Sequence, residues 1–142
     1  MARQPADAAV SDLIHTIGLM FRRARAASGA HELSLTEAAV MARLARDGPA
    51  TTAELARAES MKPQSMGATI AALEEMGMLE RRPHPTDGRQ VNIELTAKGA
   101  AVRKSAREAK RTWLAQAIAR LNEEERETLF RAGEIMKRLV EK

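Results

Sequence analysis

The sequence predicts a mainly α-helical chain with one small β element, of two to three strands, past its midpoint. Three observations lead there. Apolar residues recur at helical spacing over most of the 142 residues. Capping signatures mark several of the helix starts. One stretch, Leu79 to Leu95, changes to the chemistry of strand, turn and strand.

The elements follow in order. Val10, Leu13, Ile14, Ile17, Met20, Phe21 and Ala24 trace one face of an amphipathic helix. Arg22, Arg23 and Arg25 crowd its last turns, where cations suit the helix dipole, and Ser28-Gly29 ends it. Ser34 and Glu37 form an S-x-x-E capping box that opens a second helix through Val40, Met41 and Leu44 to Asp47-Gly48-Pro49. A short third helix follows Thr51-Thr52, turns Leu55 and Ala56 inward and breaks at Glu59-Ser60-Met61. The fourth starts at Lys62-Pro63, with proline at a first helical position where its missing N–H costs nothing, and ends at Gly77.

In the strand region Val91, Ile93 and Leu95 alternate with Asn92 and Glu94, the period of a half-buried strand. The run from Pro83 to Gly88 supplies the turn before it. Thr96 caps a long helix through Trp113, Leu114, Ala117, Ile118 and Leu121. Asn122 caps the last one, whose apolar positions are Leu129, Ala132, Met136, Leu139 and Val140.

Composition excludes several classes of function. The chain has no cysteine, which removes disulfides, thiolate metal sites and thiol chemistry. Aromatics are Trp113, Phe21 and Phe130 alone, too few for a platform that stacks single-stranded bases. No uninterrupted apolar stretch exceeds five residues, against roughly 20 for a membrane-spanning helix. The first ten residues lack the apolar core of a secretory signal. A cytoplasmic protein with no membrane partner is expected. His15, His31 and His84 show no metal-ligand spacing, and no nucleophile, general base or phosphate-cradling glycine loop is apparent. Neither an enzyme, a metal site nor a cofactor is expected.

Charge is unevenly placed. The net charge is +4, yet residues 61–95 carry four basic and five acidic side chains, while residues 96–142 carry twelve and seven. Lys98, Arg103, Lys104, Arg107, Lys110 and Arg111 form a basic run that is either a solvated helix face or a source of phosphate contacts.

A helix, a short helix, a tight turn, a third helix and then a hairpin rich in Arg, Pro and Gly is the order of a winged helix-turn-helix, which places its last helix in the DNA major groove. The segments from Leu33 to Ala56 and from Met61 to Gly99 resemble the MarR (multiple antibiotic resistance regulator) family of winged-helix transcription factors. The most specific marks are the D-x-R of Asp87-Gly88-Arg89 and the L-T-x-x-G of Leu95 to Gly99. The resemblance covers nearly the whole chain. It implies a homodimer joined through first and last helices, with residues 1–30 and 98–142 as dimerisation helices flanking a winged lobe over 31–97 in one domain. It also implies a repressor of transcription released by a small-molecule effector.

On the fourth helix Met66, Ile70 and Leu73 share an inward face, while Gln64, Ser65, Ala68 and, toward the flank, Thr69 fall away from it. Gln64 suits bidentate bonding to adenine, Ser65 a base or phosphate, and Ala68 a thymine methyl. Lys62 and the helix N-terminus beside Pro63 suit phosphate. Arg81 and Arg82 flank the hairpin and are expected on phosphates. The resemblance places Arg89 in the minor groove, with Asp87 holding its direction. The plainer alternatives are a solvated helix face and a braced hairpin, and a helical dimer that binds ligand or protein without reading DNA. For the effector, His15 and Arg22 lie seven apart, away from the apolar stripe of the first helix. They would pair with an aromatic or lipophilic anion in the pocket the resemblance implies, or form a solvated surface pair.

Overall fold

A computed structural model describes residues 3–29 and 33–141. The order is α1 (Arg3–Ala27), α2 (Leu35–Asp47), β1 (Ala50–Thr51), α3 (Thr52–Ala58), α4 (Pro63–Glu75), β2 (Leu79–Pro83), β3 (Val91–Leu95), α5 (Ala97–Ala119) and α6 (Glu123–Val140). Three helices open on reciprocal capping boxes, Ser34 with Glu37, Thr51 with Glu54, and Asn122 with Glu125. Each box closes amides that the first helical turn leaves unpaired. Thr96 accepts the Gly99 N–H at 3.0 Å and caps α5 from one side alone, since Gly99 has no side chain to return the bond.

The chain sorts into two compact units. One runs from Ser28 to Glu108, the other comprises Met1–Ala27 with Ala109–Lys142. The expected division at 97/98 gave all of α5 to the terminal helices. Instead its first three turns stay with the winged unit, because Gly99 is buried there and Val102 packs on the core.

In the winged unit β1, β3 and β2 form an antiparallel sheet in that order. Ala50 stands opposite Ile93, and Leu79 opposite Leu95. Val40, Met41 and Leu44 of α2, Leu55 and Ala56 of α3, and Met66, Ile70 and Leu73 of α4 meet Leu79 and Ile93 of the sheet in one buried cluster. Each fully buried side chain of this size stabilises the fold by about 1.5–3 kcal/mol relative to exposure. Between α3 and α4 the chain turns through Ser60, whose N–H bonds Arg57 O while the Met61 N–H bonds Ala56 O. Ser60 takes the left-handed φ of 54° that this closure needs.

The terminal unit is different. Among its described residues no side chain is buried. The apolar stripe read on α1 is exposed at Val10, Leu13, Ile14, Ile17, Met20 and Phe21, and that of α6 at Leu129, Met136, Leu139 and Val140.

Candidate nucleic-acid interface

The inward face of α4 is sealed, with Met66, Ile70 and Leu73 wholly excluded from solvent. That fixes which residues point away. Lys62, Pro63, Gln64, Ser65 and Ala68 are exposed, and Thr69 is half-buried with its hydroxyl donating to Ser65 O at 3.1 Å. Unlike α2, α3 and α6, α4 opens without a side-chain cap: Lys62 occupies that position and offers no oxygen. The N–H groups of Gln64 and Ser65 therefore lack the closure a Ser, Thr or Asn would provide, and Pro63 has none to close. An uncapped, exposed first turn carries the positive end of the helix dipole and suits an oxygen-rich anion.

The wing tip is built by side chains that bind its own backbone. Asp87 Oδ1 accepts the Arg89 N–H at 3.0 Å, and the Gln90 N–H bonds Asp87 O at 3.0 Å. His84 Nδ1 accepts from the amides of Thr86 at 3.3 Å and Asp87 at 3.1 Å. Arg89 leaves this turn with its side chain 95% exposed and its Nε 3.6 Å from Asp87 Oδ1. Asp87 thus contacts Arg89 at both its backbone amide and its guanidinium.

Arg81 and Arg82 lie on β2 of the hairpin and are engaged within the chain. Arg81 Nε lies 2.8 Å from Glu74 Oε1 at the end of α4. Arg82 bonds Glu80 Oε1 through its NH2 group at 3.0 Å and pairs with Glu94 across the strands. The bond to Glu80, and then the charge of Glu94, raise the Arg82 pKa above its ordinary value. Both arginines remain exposed, but each already has a carboxylate partner within the chain. Sequence reasoning missed these partners, because Glu74 and Glu94 are brought to the arginines only by the fold.

His15 and Arg22 are exposed on α1. A groove of about 390 Å³ within the terminal unit is lined by their neighbours instead, among them Leu19, Met20 and Arg23 of α1 with Trp113 and Gln116 of α5 and Arg120 just past its end. His31 lies outside the described residues. Among the described residues no three of His, Cys, Asp and Glu gather as a metal site, and no helix is long and apolar enough to cross a membrane.

Comparison with known proteins bears on the whole chain. The family model described as MarR family matches residues 33–91. An uncharacterized HTH-type transcriptional regulator of Mycobacterium bovis is 38% identical over 131 residues, which cover 92% of either chain. A solved structure from Pseudomonas aeruginosa, assigned as a transcriptional regulator, is 26% identical, covers 98% of both chains and superposes with a TM-score of 0.87. A variant of Staphylococcus aureus MepR bound to an oligodeoxyribonucleotide has a TM-score of 0.73 at 18% identity, over 93% of this chain and 98% of that one. That last likeness is one of fold.

Proposed function

The chain belongs to the MarR family, and on that premise we propose that it is a sequence-specific DNA-binding transcriptional regulator, a repressor that grips a pseudo-palindromic operator as a homodimer. The observation that carries this reading is the first turn of α4. It is uncapped and exposed from Lys62 to Ser65, while the opposite face of the same helix is sealed into the core. Entering the major groove, that turn offers Gln64 to an adenine edge, Ser65 to a base or phosphate and the Ala68 methyl to thymine. Lys62 and the free amides neutralise and bond phosphate. Arg89, held out by Asp87, reads the minor groove beside it.

The exposed apolar stripes of α1 and α6 support pairing with a second copy, which would carry two recognition helices about 34 Å apart. Such a regulator works on the chromosome in the cytoplasm and needs no catalytic group. Release by a small anionic effector finds support in the groove of the terminal unit, where Arg23 and Arg120 line an apolar recess of ligand size beside Trp113.

The reading is tested by passing a random pool of DNA duplexes over the purified full chain and sequencing what is retained. Enrichment of one inverted repeat is the expected outcome. Retention without enrichment, or none at low salt, would contradict it and favour a helical dimer that binds ligand or protein alone.

A further inference from the structure

The recognition helix ends in a joint with α5 that the DNA-contact residues do not explain. Past α4 the Gly77 N–H bonds Glu74 O and the Met78 N–H bonds Leu73 O, both at 2.9 Å. Gly77 holds the left-handed φ of 78° that this closure requires. Three successive carbonyls then remain, on Met76, Gly77 and Met78. All three are taken by one short segment at the start of α5. Lys98 Nζ donates to Met76 O at 2.7 Å, the Thr96 hydroxyl to Gly77 O at 2.6 Å, and the Thr96 N–H to Met78 O at 3.0 Å.

The same Thr96 hydroxyl accepts from the Gly99 amide, so one side chain closes the end of α4 and the beginning of α5 together. Gly99 is what lets the two meet. A Cβ at that position would stand 2.2 Å from Met78 O, a contact that backbone cannot accommodate without shifting. The Lys98 ammonium also sits at the negative end of the α4 dipole. This cation, which the basic run of the sequence suggested for phosphate, is therefore committed to a helix end.

We propose that Thr96, Lys98 and Gly99 are positioning residues for DNA recognition, which fix the bearing of α4 on α5 without touching DNA. The proposal rests on the DNA-binding reading above. Its physical basis is leverage. A helix of 13 residues is about 20 Å long, so a tilt of about 5° at the joint moves the reading end by about 1.7 Å. Base contacts tolerate displacements of only about 0.5 Å. Because α5 runs unbroken from Ala97 to Ala119, any displacement of its first turns is passed to the recognition helix through these bonds.

The test is an anisotropy titration of the enriched duplex, over a salt series, with the full chain and its variants Thr96→Val, Thr96→Ser and Lys98→Met. Each is measured where circular dichroism shows it fully folded. Thr96→Val and Lys98→Met are expected to bind about two- to thirty-fold more weakly, as coupling residues without ligand contact do. Thr96→Ser, which keeps the hydroxyl, is expected to bind like the wild type, and the salt slope is expected to stay unchanged throughout. A merely structural role would lower the melting temperature and leave the affinity of the folded protein alone.

Wild-type affinity in both Thr96→Val and Lys98→Met would overturn the proposal. So would a Lys98→Met slope shallower by about 0.9, the mark of a lost phosphate contact. Should Thr96→Val not fold, Lys98→Met decides, since the Lys98 side chain is exposed and its loss leaves the backbone turn intact. A wild-type chain that does not distinguish the enriched duplex from a scrambled one overturns the DNA reading itself. Unaffected variants of a binding wild type overturn only the joint.

Discussion

In the winged unit Met41, Leu55, Met66, Ile70, Leu73 and Ile93 are sealed from water, whereas in the terminal unit Ile14, Phe130, Leu139 and Val140 are more than half exposed. Both sets come from the same amphipathic periodicity. The winged unit satisfies it within one chain, by folding three helices over a three-stranded sheet. The terminal unit leaves its stripes open, which is the pattern of a surface completed by another copy. Charge divides the interface in a related way. The arginines on β2 are paired with carboxylates of their own chain, while Arg89 at the wing tip stands out with only a long contact to Asp87. Burial therefore marks what holds the winged unit together.

The contrast can be broken in four places, of decreasing effect. Ile70→Ala removes a sealed side chain from the winged core and is expected to cost about 2–5 kcal/mol in chemical denaturation, independent of protein concentration. A cost below that range would mean the core is less tightly packed than its burial indicates. Leu139→Glu puts a charge on the open stripe of α6. It is expected to leave the helical spectrum intact but weaken self-association by about 2 kcal/mol or more, read by sedimentation across a dilution series. An unchanged mass at every dilution would separate that stripe from the pairing surface.

Arg89→Ala should leave the chain folded and cost about 1–3 kcal/mol of specific DNA affinity in an anisotropy titration. Full retention would remove the wing from the interface. Arg81→Ala sharpens the comparison within the wing. Its guanidinium is already bonded to Glu74, so the loss of DNA affinity is expected to stay under about 1 kcal/mol, similar in size to the exposed ion pair it breaks. An effect as large as that of Arg89 would show that Arg81 exchanges Glu74 for a phosphate on binding.

What the sequence made legible was local. The box of Ser34 with Glu37, the cap at Asn122, the proline at the start of α4 and the alternation from Val91 to Leu95 all act within a few residues, and all stand as read. The box of Thr51 with Glu54 carries the same signature. The strand β1 was not legible as such: two residues have no periodicity, and Ala50 becomes a strand only because Ile93 lies opposite it. The partners of Arg81 and Lys98 were hidden for the same reason, since Glu74 and Met76 reach them through the turn at Gly77. Periodicity also cannot say whether an apolar stripe is covered by its own chain. It reads the same on α4, which is sealed, and on α6, which is open. Of the candidate site, the exposed face of α4 was readable from spacing, while the relation of Asp87 to Arg89 came from the resemblance. The groove of the terminal unit is lined by Thr16 and Arg23 of α1, each one residue along from His15 and Arg22, the pair the sequence suggested for an effector.

The most direct test joins the two units in one reading. The affinity of the full chain would be measured for its enriched inverted repeat and for the same duplex with five extra base pairs between the half-sites, about half a helical turn. A reading head paired through the terminal helices predicts that the insertion, by turning one half-site to the far side of the DNA, drops affinity toward that of scrambled sequence. Equal affinity for the two duplexes would contradict the account, because it would mean that each winged unit reads DNA without a partner.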